Sequence, residues 1–182
     1  MIKIIKDTSA SLRSKSKPVD MPLTKKDHDL LLRMLNYLKK SQDAKYREKH
    51  PSIREGVGLA APQVGVNKRM LVIRYQKADG ELVEYALVNP KIVENSIRKC
   101  YLKVGEGCLS VDEKHEGYVP RDLKVIVKAY NALNDENITI TAREYDAIVL
   151  QHEIDHLDGI LYYDRINLDN PYQVIENALE IS

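Results

Sequence analysis

TAREYDAIVLQHEIDHLDG, residues 141 to 159, contains two histidines four positions apart with a glutamate beside the first. Residues four apart share one face of a helix, so His152 and His156 can reach a single metal ion. Glu153 projects about 100° round the helix from His152, within reach of a water molecule activated there. The stretch also has the signals of a helix: Thr141 as N-cap, Glu144 completing a capping box and Gly159 as a C-terminal stop. Its middle, Ala147-Ile148-Val149-Leu150, is apolar around most of the circumference, as in a buried helix. The plain alternative is two core histidines bonded to backbone. Against it stands the context, since the pattern lies on an independently predicted buried helix.

Two imidazoles leave such a site short of a ligand, because catalytic zinc sites use three protein ligands and an open position. The extended metzincin pattern needs a third His where this chain has Tyr162. Downstream, only Glu176 and Glu180 remain as carboxylates on a predicted C-terminal helix, a cramped solution. Upstream, GEGCLSVDEKHEG offers Cys108 and His115. Cys108 is the better candidate, since Gly105 and Gly107 let the backbone approach another group closely. A lone thiol is more often a small buried residue, but a two-His helix without a downstream partner favours ligation. A closed Cys2His2 site would recruit Cys100, yet C-x7-C is wider than the usual spacing. Cys100 is read as a strand residue without chemistry.

Outward from the helix, the chain reads as one domain over residues 1 to 182. With 28 basic and 27 acidic residues it has no overall field to draw it to nucleic acid or an anionic membrane. The N-terminus has no signal-peptide core and no run approaches a membrane span, so a cytoplasmic location is expected. LTKKDHDLLLRMLNYLKKSQD, with Thr24 to Asp27 as a capping-box pattern, predicts a helix over about 25 to 42, and residues 43 to 56 a surface loop. MLVIRY (70 to 75) and ELVEYALVN (81 to 89) flank Asp79-Gly80 as a hairpin. KIVENSIRKCYL (91 to 102), LKVIVKAY (123 to 130) and ITIT (138 to 141) add antiparallel strands, and residues 170 to 180 read as a short terminal helix opened by Pro171.

GVGLAAPQ (56 to 63) formally satisfies a dinucleotide fingerprint, but the preceding residues are charged and Pro62 cuts off the helix that should hold the pyrophosphate. A tight loop that aims Gln63 into a site fits better. In order and spacing, GVGLAAPQ, EGCLS (106 to 110) and QHEIDH (151 to 156) resemble the three motifs of the peptide deformylase family. LRSKS, LVNPKI and GYVPR extend the resemblance over nearly the whole chain. The long segment before the first block and the form EGCLSVD resemble the type II branch of Gram-positive bacteria. Asn134-Asp135-Glu136-Asn137 departs from it by lacking a Gly often found there.

The resemblance implies an α+β fold, with antiparallel β-sheets packed around a central metal-binding HExxH helix and helices at both ends. It implies removal of the N-formyl group from the initiator methionine of nascent polypeptides, with release of formate. Cys108, His152 and His156 would hold one divalent metal, Fe2+ in the cell, with Zn2+, Ni2+ and Co2+ also suited to the donor set. Glu153 would act as general acid/base, and Gln63 and the Leu109 N–H as oxyanion donors. The substrate would lie along Gly56, Val57 and Gly58 with its Met side chain against Val57, Tyr145, Ile148 and Val149; ordinary core packing is an equal reading for those side chains. Glu106 and Arg121 would form a buried pair that positions the second block, the alternative being an exposed pair worth little. N-formylmethionyl nascent peptides are the implied partners, with transient ribosome association allowed, no sequence-specific nucleic acid, no membrane and a monomeric state expected. Two rivals remain at this point, a small zinc peptidase using Glu176 and a non-catalytic metal-stabilised binding module.

Overall fold

The computed structural model describes residues 2 to 182. Helix α1 (Lys25–Gln42) begins where predicted: the Thr24 side chain accepts from the Asp27 N–H and its hydroxyl donates to the Asp27 carboxylate. A short α2 (Ala44–Lys49), capped by Asp43, stands where a loop is expected, with none of its residues buried. Strands β1 (Gly58–Ala60), β2 (Met70–Gln76) and β3 (Leu82–Asn95) follow, then β4 (Lys99–Leu102), β5 (Arg121–Asp122), β6 (Lys124–Asn131) and β7 (Glu136–Arg143). Helix α3 (Glu144–Leu157) and β8 (Leu179–Ile181) complete the chain.

Five strands form an antiparallel sheet in the order β1-β2-β3-β6-β7. Successive strand residues face opposite sides, and here both sides are covered. Leu71, Ile73 and Leu87 pack with Ala147, Leu150 and Leu157 of α3. Met70, Val72, Ala86 and Val88 pack with Leu31, Met34, Leu35 and Leu38 of α1. Double coverage explains why MLVI reads as an unbroken apolar run rather than an alternation. A second sheet, β5-β4-β8, contacts α3 from another direction, so the helix lies between the two. The architecture is α+β, with a mainly antiparallel sheet and few helices.

The predicted strand 91 to 102 is two elements. Residues 91 to 95 continue β3 past Pro90 through a register shift between Val88 and Lys91, with Asn89 at φ 51°; β4 starts anew at Lys99. A bulge is where a strand tolerates a residue without an N–H. The hairpin turn at Asp79-Gly80 is present, with Gly80 at φ 91°. In the turn lacking glycine, Asp135 takes φ 59° instead.

Thr141 does not cap α3. It pairs with Ile126 in β7, and the strand runs into the helix through Arg143 as an N-cap without a side-chain bond. Gly159, at φ 76°, lies just past the C-terminus as expected. The C-terminal helix is also corrected: residues 170 to 178 form turns, and β8 pairs in parallel with β4, Cys100 opposite Leu179. A helix of that length is marginal unless it buries an apolar face, and Val174 is exposed, whereas the open edge of β4 offers hydrogen bonds.

Leu38 is fully buried between α1 and the sheet. Leu38→Ala is expected to lower unfolding stability by about 2–5 kcal/mol, measured by urea denaturation. A loss below about 1 kcal/mol would show that α1 is not packed as described.

Candidate metal centre

His152 and His156 project from one face of α3 with ring centroids 5.0 Å apart. The loop between β4 and β5 brings Cys108 to them, its Sγ 3.3 Å from His156 Nε2. One donor atom from each of Cys108, His152 and His156 lies within 4.8 Å of the others. Thiolate and imidazole ligands stand about 2.3 and 2.1 Å from a tetrahedral zinc ion. Donors so bound sit about 3.5 Å apart, and Cys108 Sγ and His156 Nε2 already stand close to that spacing. The other residues weighed as ligands lie elsewhere. Glu180 is in β8 and pairs with Lys103, Glu176 is exposed, and His115 stacks on Tyr163 at 4.1 Å.

Behind the trio runs a buried chain of charges. Arg121, almost wholly buried, donates from Nε and Nη2 to the two oxygens of Glu106, each at 2.8 Å. Glu106 Oε2 lies 2.8 Å from His152 Nδ1, which leaves Nε2 for the metal. On its other side Arg121 bonds Asp155, which receives two bonds of 2.6 Å from Arg165. Burial pushes the Glu106 carboxyl up, but Arg121 and His152 outweigh it and hold the group down at about 2. Burial would lower the His152 imidazole, yet its bonds to Cys108 and Glu106 carry it well above its ordinary value. His156 is held low by burial, with the His152 charge adding to it.

Glu153 is 4 % exposed, and its Oε2 has no partner among the described residues. Such an orphaned buried oxygen marks a group held for a ligand or a proton rather than for stability. Burial raises the carboxyl to about 7, against the opposing pull of His152. The loop of β1 makes room for it: a Cβ on Gly58 would lie 2.3 Å from Glu153 Oε1.

Gln63 is equally enclosed. Its Oε1 accepts from the Ala60 N–H at 2.8 Å, which turns Nε2 toward Ser110 Oγ at 3.2 Å and Cys108 Sγ at 3.4 Å. Leu109 follows Cys108 directly, and nothing among the described residues accepts from its N–H. A cleft of about 320 Å³ opens beside these groups, with Val57, Tyr145, Ile148 and Val149 in its wall together with Leu102. Gly56, Gly58, Gln63, Glu106, Cys108, Leu109, His152 and Glu153 face the same cleft, whereas Arg121 stands behind it.

The loop 56 to 58 is anchored more firmly than its sequence suggests. The Gly56 N–H donates to Ser41 Oγ, and its carbonyl accepts from Gln42. The Val57 carbonyl accepts from the Arg74 N–H. In an antiparallel ladder, neighbouring residues alternate in direction, so the backbone groups of Gly58 point away from β2, along the free edge. Asp155, Arg165, Ser110, Ser41 and Gln42 thus support the site without having been singled out in the sequence. Asp155 carried a signal, lying inside HEIDH on the face shared with Gln151, and so did Ser110, the last residue of EGCLS; the others had none.

The family model described as Polypeptide deformylase matches residues 1–171. "Peptide deformylase 2" of Bacillus subtilis (strain 168) is 46 % identical over 181 residues, covering 100 % of this chain and 97 % of the relative. "Peptide deformylase" of Oceanobacillus iheyensis is 44 % identical over 178 residues, covering 98 % and 96 %. Among solved structures, a probable peptide deformylase from Synechococcus phage S-SSM7 superposes with a TM-score of 0.74 at 34 % identity, covering 91 % of this chain and 100 % of that one. Peptide deformylase 1B of Arabidopsis thaliana, solved with an inhibitor, gives 0.72 at 30 % identity over 92 % and 82 %.

Removing Arg121 leaves two buried carboxylates facing each other without their shared cation. Arg121→Met is expected to cost about 3–5 kcal/mol of stability, read by urea unfolding of the metal-free protein. A change under about 1 kcal/mol would mean that the pair is solvated.

Proposed function

The chain belongs to the polypeptide deformylase family, and from that premise we propose which of its residues carry the reaction. The enzyme is a metal-dependent hydrolase that removes the N-formyl group from methionine; deformylase substrates are N-formylmethionyl nascent peptides. Cys108, His152 and His156 hold the ion, a reading supported by three donor atoms of suitable chemistry within 4.8 Å. In the cell the ion is ferrous iron, with Zn2+, Ni2+ or Co2+ able to take its place. A bound divalent cation supplies Lewis-acid activation of water and of the formyl carbonyl.

Glu153 accepts the proton of the attacking water at its carboxylate and passes it to the leaving amine nitrogen. A carboxyl near 7 can do both at neutral pH. As the C–N bond breaks, the formyl carbon leaves as formate and the amine is freed. Negative charge grows on the formyl oxygen on the way, and Gln63 Nε2 and the Leu109 N–H donate to it. Both are held before substrate arrives, which is what makes such donors effective. The substrate main chain runs along the Gly58 edge, and its Met side chain enters the apolar wall of Val57, Tyr145, Ile148 and Val149. The observation that carries the assignment is the buried, unpartnered Glu153 carboxylate against Gly58, beside the Cys-His-His group.

Glu106 and Arg121 position His152. One domain over residues 1 to 182, a monomer in the cytoplasm with transient ribosome contact, completes the proposal; no helix is long and apolar enough to cross a membrane. A peptidase reading that uses Glu176 has no support, since that residue is exposed and outside the donor group.

Formate release from a formyl-Met peptide, measured with metal content, tests these roles. Gln63→Leu should lower kcat by about 10²–10³-fold with metal retained. Cys108→Ala should lose the metal. Full turnover in the first variant, or normal metal content in the second, would overturn the respective assignment.

A further inference from the structure

Arg54 precedes the Gly56 loop and lines the same cleft. Its Nη2 donates to the carbonyls of Cys108 (3.0 Å) and Leu109 (2.6 Å), and its Nη1 to the carbonyl of Val111 (3.0 Å). Lys6 Nζ adds a second donor to the Leu109 carbonyl at 3.2 Å. Asp112 sits by both cations, 2.7 Å from Lys6 and 3.4 Å from Arg54.

A trans peptide unit is planar, so its N–H points opposite to its carbonyl. Arg54 therefore holds the carbonyl ends of two consecutive peptide units whose other ends are the Leu109 and Ser110 N–H groups. For the second unit the opposite end is visible: the Ser110 N–H donates to Cys108 Sγ at 3.4 Å. By the same geometry the Leu109 N–H is turned away from the guanidinium, and no group among the described residues accepts from it. A charged donor on a carbonyl also draws electrons through the amide, which makes the N–H of that unit a stronger donor.

We infer that Arg54 is a positioning residue for the reaction, aiming and polarising the Cys108–Leu109 peptide so that the Leu109 N–H binds the growing negative charge of the formyl oxygen. The inference rests on the role proposed above for Leu109. It differs from a role in folding alone, because a staple on the loop would act on stability and metal retention without separating kcat from KM. Lysine cannot replace the fork: three carbonyls need the planar array of N–H groups that guanidinium presents.

The test uses the metal-loaded enzyme and a formyl-Met peptide. Arg54→Met should lower kcat by about 10–100-fold with KM changed less than about threefold and metal content unchanged, and Arg54→Lys should fall between Arg54→Met and the parent. In zinc-loaded, 15N-labelled protein, the Leu109 amide proton should move upfield in Arg54→Met as its polarisation is lost. A raised KM with unchanged kcat, or an unmoved Leu109 amide, would overturn the inference. Gln63→Leu measured alongside separates the two levels. If it lowers kcat while Arg54→Met does not, only the role of Arg54 fails; if neither does, the oxyanion reading itself fails.

Discussion

The Glu106 carboxylate, gripped between the Arg121 guanidinium and the His152 imidazole, is the contact on which the candidate metal centre depends. It joins the loop that carries Cys108 to the helix that carries both histidines. Burying charges costs several kcal/mol per ion unless each is well paired and hydrogen-bonded. Here the signs alternate from His152 through Glu106, Arg121 and Asp155 to Arg165, and only the last reaches solvent appreciably. Such a chain adds little net stability over apolar packing. Its effect is geometric: it fixes one nitrogen of His152 so that the other can face Cys108.

The same economy of space shapes the rest of the cleft. The sheet is covered on both faces, by α3 on one and α1 on the other, so β1 at its edge is buried where it meets Glu153. Only a residue without Cβ fits at Gly58, and the carboxylate it admits is thereby cut off from water. Burial then brings the carboxyl to about 7, which suits the acid–base role proposed for it. Packing, not a dedicated partner, raises this carboxyl.

Much of this was legible in the sequence because it rests on short-range rules. Helical spacing put His152, Glu153 and His156 together, Tyr162 excluded one family of third ligands, and glycines around Cys108 suggested where the chain could approach. Periodicity found α1 and the hairpin of β2 and β3. Boundaries were less legible where tertiary contacts override local signals: Thr141 looked like a cap and is a strand residue, and the C-terminal segment looked helical and instead pairs with β4. Arg165, Ser41, Gln42 and Arg54 had no local signature at all. Each acts through a backbone or side chain 10 to 57 positions away, which only the fold brings near.

Metal binding at Cys108, His152 and His156 requires Glu106 to orient His152, and Glu106→Gln tests this most directly. The variant keeps the shape of the side chain but loses the charge and one acceptor. Metal affinity measured by competition with a chelator should fall about 10–100-fold while circular dichroism stays native. An affinity equal to that of the parent protein would contradict the account, since the histidine would then be held in place without its carboxylate.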